Sequence, residues 1–210
     1  MSKQINCQFI SPENEDNAAI FLNNYPKEKL NNLLWSENGY FPEVSFSMAY
    51  TSSSILLKYW VTENYAEARH TQVNDLVYKD SCVEFFISFD NGANYYNLEF
   101  NCIGTPYAAY GACNPGRVTL PADVIEQFKI FVKTESFENE SLSKWELVLD
   151  IPFSAFIYDD IKSLKGVICM GNFYKCGDET TVPHYLSWNN IVNPVPNFHL
   201  PEFFGTISFK

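Results

Sequence analysis

Two short runs, residues 82–89 and 95–102, alternate so regularly between apolar and polar side chains that a β-hairpin is the structure they favour. Cys82-Val83-Glu84-Phe85-Phe86-Ile87-Ser88-Phe89 and Tyr95-Tyr96-Asn97-Leu98-Glu99-Phe100-Asn101-Cys102 are separated only by Asp90-Asn91-Gly92-Ala93-Asn94, a turn-forming segment. Successive side chains of a strand point to opposite faces. Val83, Phe85, Ile87 and Phe89 therefore share a face, and are expected to pair with Cys102, Phe100, Leu98 and Tyr96. The opposite face carries Glu84, Asn97, Glu99 and Asn101. A sheet face set with carboxylates and amides is a place for a polar ligand.

The same period of two recurs along the chain. Val44, Phe46, Met48 and Tyr50 alternate with small residues, and Ile55, Leu57, Tyr59 and Val61 follow after Thr51-Ser52-Ser53-Ser54. Pairing Tyr50 with Ile55 puts both apolar sets on one face. Residues 128–133 and 144–151 read as a further hairpin, and residues 166–174 and 205–209 as two more strands. Helical turns are expected only near residues 18–23, 122–127 and 152–156. Frequent strands without a βαβ rhythm predict an all-β protein, an antiparallel β-sandwich with few short helices. No linker composition or internal repeat divides the chain, so one domain over residues 1–210 is expected. Residues 178–201, with four prolines (Pro183, Pro194, Pro196 and Pro201), read as an ordered loop crossing the sandwich edge; long ordered loops are often functional.

Charge and cysteine content narrow the partners. A net charge of −11 argues against nucleic acid and against anionic membrane surfaces, both of which demand Lys and Arg. Neutral ligands and cations remain compatible. The first residues lack the apolar run of a signal peptide, which predicts a cytoplasmic protein if Met1 is the native start. The six cysteines (7, 82, 102, 113, 169, 176) have irregular spacing without Cys-x-x-Cys, so they are expected to be reduced and mostly buried.

Enzyme templates are missing: no Gly-x-Ser-x-Gly, phosphate-binding loop, dinucleotide fingerprint or His-Glu-x-x-His occurs. Glu84 and Glu99 could serve as the carboxylate pair of a glycoside-active enzyme. Met48, Met170, His184 and His199 are the residues able to ligate a haem iron. Among the aromatic residues, Trp145 shares a strand face with Leu147 and Leu149 and belongs to the core. Trp60 shares its face with Lys58 and Thr62, and Trp188 is open to either role.

Several ordered motifs carry a resemblance. Residues 77–87 (Val-Tyr-Lys-Asp-Ser-Cys-Val-Glu-Phe-Phe-Ile), 95–101 (Tyr-Tyr-Asn-Leu-Glu-Phe-Asn), 103–105 (Ile-Gly-Thr) and 172–178 (Asn-Phe-Tyr-Lys-Cys-Gly-Asp) resemble the signature of family 9 carbohydrate-binding modules and their family-9-like relatives. So does the stretch from Pro183-His184-Tyr185-Leu186-Ser187-Trp188 to Phe198-His199-Leu200-Pro201-Glu202-Phe203-Phe204-Gly205. The resemblance runs from about Val44 to the C-terminus. It implies a jelly-roll-like sandwich related to DOMON-type ligand-binding domains, and non-catalytic binding of a small sugar or a glycan chain end. It also implies two aromatic residues clamping the sugar ring, at Tyr78 and Phe198, where the family carries tryptophan. The hydroxyl-binding glutamate falls on Glu84, its cross-strand partner near Glu99 in place of an arginine, and an amide-bearing sheet position near Tyr174.

The expected ligand-binding set is therefore Tyr78, Glu84, Asn97, Glu99, Asn101, Tyr174, Lys175, His184, Trp188, Phe198 and His199. No cofactor is expected. Structural Ca²⁺ occurs in such modules, but no dense Asp/Asn run supports it here.

Overall fold

The computed structural model describes residues 2–11, 18–112, 116–136 and 142–210. Two sheets face each other. One contains β4 (Glu43–Tyr50), β5 (Ser54–Asn64), β10 (Lys129–Ser136) and β11 (Leu142–Pro152), in the order β10-β11-β5-β4, with the short β2 (Glu28–Lys29) paired to β4. The other runs β14-β12-β6-β7-β8-β9, from β14 (Gly205–Phe209) through β12 (Ile168–Cys176), β6 (Cys82–Ser88), β7 (Tyr95–Asn101) and β8 (Pro106–Gly111) to β9 (Val118–Thr119). The N-terminal strand β1 (Gln4–Phe9) belongs to both. Its first part pairs with β14 and its last two residues with β4, in parallel each time. The sandwich is thus mixed rather than purely antiparallel, because the chain's first strand closes one end against its last.

Alternation correctly assigns the faces. Phe46, Met48, Tyr59, Phe85, Leu98, Trp145, Leu147 and Phe173 meet between the sheets in one buried core. Aromatic stacking dominates its centre: Phe173 lies 3.8 Å from Phe46 and 4.9 Å from Phe85, centroid to centroid, in near-parallel planes. Trp188 joins them edge-on, 5.5 Å from Phe173, with its indole N–H donating to Glu28 at 3.0 Å. Gly205 makes room for that indole, since a Cβ there would collide with the Trp188 ring and with the Lys3 carbonyl oxygen 2.8 Å away.

The β4–β5 hairpin has the expected register, Tyr50 opposite Ile55. The β6–β7 hairpin differs by two residues. Val83 faces Phe100, Phe85 faces Leu98 and Ile87 faces Tyr96. Ser88 Oγ donates to the carbonyl oxygen of Asn94 at 2.6 Å and accepts the Gly92 N–H at 2.8 Å, drawing Phe89 into the turn and out of the ladder. A two-residue shift leaves every side chain on its own face, so the facial assignment survives.

Residues 178–201 divide between the sandwich edge and the outer face. Tyr185–Ser187 form β13, hydrogen-bonded beside β12 in the same sheet and pairing in turn with β3 (Asn32–Leu34), whereas Ile191, Phe198 and Leu200 fold over the outer face of β12, β6 and β7. A second apolar cluster fills the space beneath, with Phe86, Tyr95, Tyr174, Phe198 and Phe204. Consequently β6 and β7 are buried on both faces. Cys7, Cys82, Cys102, Cys169 and Cys176 are free and buried, while Cys113 lies outside the described residues. No described helix is long and apolar enough to cross a membrane.

Truncating Phe173 leaves a void between two stacked rings, so Phe173→Ala should lower the unfolding free energy by about 3–5 kcal/mol in urea titration. A loss under about 1 kcal/mol would mean the centre repacks freely and does not tie the sheets together.

Candidate functional site

Between the outer face of the β6–β7 hairpin and the covering loop lies a cavity of about 410 Å³, within the range that accommodates small ligands. Its floor is polar. Glu84 and Glu99 are directly opposite each other on adjacent strands, both line the cavity, and their exposures are only 3% and 5%. Asn97 lies alongside, donating from Nδ2 to Glu99 Oε1 at 2.8 Å. Cys176 donates its thiol to Glu84 Oε1 at 3.0 Å. The other Glu99 oxygen, Oε2, is buried with no hydrogen-bond partner among the described residues.

The walls are aromatic. Tyr78, Tyr107, Trp35, Tyr185 and Phe198 all line the cavity. Phe198 is rigidly backed: Tyr174 stacks on it at 4.2 Å with planes 8° apart, and the Tyr174 hydroxyl donates to the Phe198 carbonyl oxygen. Trp35 stands 5.8 Å from Phe198 and donates its indole N–H to the Asn193 carbonyl at 2.7 Å. Its backbone has φ +47°, a left-handed conformation rare for a bulky residue. His199 completes the rim, with Nδ1 2.9 Å from the Tyr95 hydroxyl.

Electrostatics follow from burial. Glu84 is held protonated well above the ordinary glutamate range, first by desolvation and then by repulsion from Glu99. Desolvation raises Glu99 to about 7, opposed by its bond from Asn97 and by the Arg117 charge. Asp178, also on the lining, is raised to about 6 by burial. Burial and the Arg117 charge lower His199 to about 4, so its ring is neutral near pH 7.

Six of the residues singled out from the sequence meet at this cavity: Tyr78, Glu84, Asn97, Glu99, Phe198 and His199. Five do not. Tyr174 lies fully buried behind Phe198. Trp188 supports the main core instead of forming a wall. Asn101 ties a turn, donating to Asp80 and to the His70 carbonyl and accepting the Thr105 N–H at 2.9 Å. Lys175 follows Tyr174 by one residue and so points through the other face. There it forms a 2.8 Å ion contact with Glu63 of β5, both side chains fully buried, and donates to His184 Nε2 at 2.6 Å. His184 can accept because its Nδ1–H is donated to the Val182 carbonyl, and burial lowers its pKa to about 3. This trio pins the two sheets together and is structural.

Arg117 is the main residue the sequence did not reveal. It precedes the two-residue strand β9 and carries no local pattern, yet it reaches the floor beside Asn97 and packs 4.0 Å over the Tyr95 ring. It brings a guanidinium to the floor from outside the hairpin. Trp35, Asp178, Tyr107 and Tyr185 were also missed as site residues.

Metal and haem options are narrower. Cys82, Glu84 and Cys176 present two sulfurs and an oxygen within 4.8 Å of one another, a donor set unlike the all-oxygen cage of Ca²⁺. Burial lifts the Cys82 thiol to about 12, and the Cys176 thiol donates to Glu84 Oε1. Met48 is sealed in the main core, and the ring nitrogens of His184 nearest a partner are engaged by Lys175 and Val182.

A covered sheet face with aromatic walls and a carboxylate floor defines a domain built to enclose a small polar ligand. The sequence model described as carbohydrate-binding family 9 matches residues 14–209, and the chain belongs to that family. Among solved structures, a candidate carbohydrate-binding protein from Bacteroides uniformis is 37% identical, with TM-score 0.90 and complete coverage of both chains. A family 9 module from Caldicellulosiruptor kristjanssonii, solved with cellotriose, is 15% identical over 99% of this chain and 94% of that one, with TM-score 0.61. The same organism's module solved with glucose is 15% identical, covering 99% and 96%, with TM-score 0.57. These two share the fold. No curated protein sequence matches the chain.

The raised carboxyl at Glu99 sets a pH signature. A folded pKa of about 7 against about 4.5 unfolded means the stabilising protonated state is fully present below about pH 4.5 and is lost as pH rises through about 7. Glu99→Gln, which imitates the protonated acid, should match the parent melting temperature near pH 4 and exceed it near pH 8 by about 4 °C or more. Equal melting temperatures at both pH values would show that Glu99 is solvated and ionised throughout.

Proposed function

We propose that this chain is a non-catalytic carbohydrate-binding domain whose ligand, a small sugar or a glycan chain end, occupies the cavity above Glu84 and Glu99. The observation that carries the reading is the unpartnered, buried Glu99 oxygen on the floor of an aromatic-walled cavity. A buried acceptor without a partner is costly. Sugar hydroxyls supply donors to such a floor while the C–H faces of the ring pack on aromatic side chains. Tyr78 and Phe198 are the walls we assign to that packing, with Trp35 beside Phe198. Family membership supports the same reading, as do the sugars named with the two Caldicellulosiruptor modules.

The carboxylate geometry favours binding over glycoside hydrolysis. Hydrolysis needs two carboxyl groups on either side of the scissile bond. Glu84 and Glu99 are neighbours on one floor, paired across adjacent strands, so both approach a ligand from the same side.

Calorimetry against mono- and oligosaccharides tests the assignment. At least one sugar should bind and raise the melting temperature, and Phe198→Ala and Tyr78→Ala should each weaken binding by about tenfold, the equivalent of ~1.4 kcal/mol. No heat and no thermal shift across the panel would overturn it.

A further inference from the structure

Acidic side chains outnumber basic ones around the cavity. Three acids line it (Glu84, Glu99 and Asp178), while Arg117 is the one Lys or Arg among its described lining residues. That arginine is already committed to the chain. Nε and Nη2 donate to Asn97 Oδ1 at 3.1 and 2.6 Å, Nη1 donates to the carbonyls of Gly111 and Ala112, and Nη2 also reaches those of Tyr95 and Ala109. A guanidinium has five N–H donors, and each of them has an acceptor here. It stiffens the floor but has nothing left to offer an anionic ligand.

What the floor offers instead is acceptors. Among the described residues, Glu99 Oε2 has no hydrogen-bond partner, and Glu84 Oε1 accepts from the Cys176 thiol. Opposed carboxyls in a buried site repel unless they share a proton or a cation lies between them. The proton held on Glu84 relieves that repulsion, and a neutral hydroxyl adds one hydrogen bond without altering that arrangement. A protonated amine donates up to three, each charge-assisted, and takes the place of that proton, which is released to solvent as both carboxylates ionise.

We propose that the preferred ligand is a sugar carrying a free, protonated amine, with the ammonium seated at Glu84 and Glu99 and the ring against the aromatic walls. This rests on the carbohydrate reading above and narrows it to one chemical class. Acidic sugars are excluded, because no uncommitted cation meets their carboxylate. N-acetylation removes both the charge and two donors, so it removes the preference.

Titration calorimetry at about pH 7 with matched pairs decides the matter: glucose with glucosamine, galactose with galactosamine, mannose with mannosamine, plus N-acetylglucosamine, glucuronate and ethanolamine. In at least one pair the amine form should bind about tenfold or more tightly than its neutral partner. Glucuronate should give no heat. Glu99→Gln and Glu84→Gln, each checked for an intact melting transition, should narrow the amine-to-neutral ratio at least about threefold. Neutral sugars binding as well as their amine partners would overturn this inference while leaving carbohydrate binding standing. Ethanolamine binding as tightly as the best aminosugar would also overturn it, reducing the floor to a simple cation site. If no sugar binds at all, both readings fall.

Discussion

Everything distinctive in this molecule depends on one sheet being buried on both faces. In most sandwiches the outer face of a sheet meets water, and polar side chains there cost nothing. Here the outer face of β6, β7 and β12 is roofed by Ile191, Phe198, Leu200 and Phe204, with Trp35 beside them. Glu84, Asn97 and Glu99 are therefore removed from solvent without being removed from one another. The desolvation that lifts both glutamates out of their ordinary range is a direct result of that roof, and so is the cavity. A second apolar core under the roof supplies the stability that keeps it closed, with Phe198 locked on Tyr174 and Phe86 among Tyr95, Tyr174 and His199.

Buried polar groups in this chain divide into those fully engaged and those left open. Lys175, His184 and Glu63 form a closed set that links the two sheets. Asn101 and Asp80 are a closed set too, holding the turn after β7 to the segment at His70. Arg117 spends its donors on carbonyls and on Asn97. Among the described residues, Glu99 Oε2 is a buried oxygen without a hydrogen-bond partner that also lines the cavity. That contrast separates a binding floor from structural polar ties of similar composition.

Strand alternation made the facial assignment of the hairpin legible, and with it the placing of Glu84, Asn97 and Glu99 on one surface. The register was not legible, because Ser88 and Asp90 tighten the turn through side-chain bonds that no period of two encodes. Lys175 shows the opposite case. Its parity relative to Tyr174 already excluded it from the cavity face, although its neighbours in the chain look like binding residues. Arg117, Trp35 and Asp178 come from irregular segments distant in sequence, and only the folded chain brings them together. The parallel closure by β1 was equally hidden, since a single short strand carries no mark of its partners.

A crystal of the full chain soaked with a mixture of sugars tests the central claim most directly. The account predicts density for a single sugar within the cavity, with a donor of the ligand within hydrogen-bond distance of Glu99 Oε2 and its ring against Phe198 or Tyr78. A sugar bound on another surface, with the cavity holding only water, would contradict it.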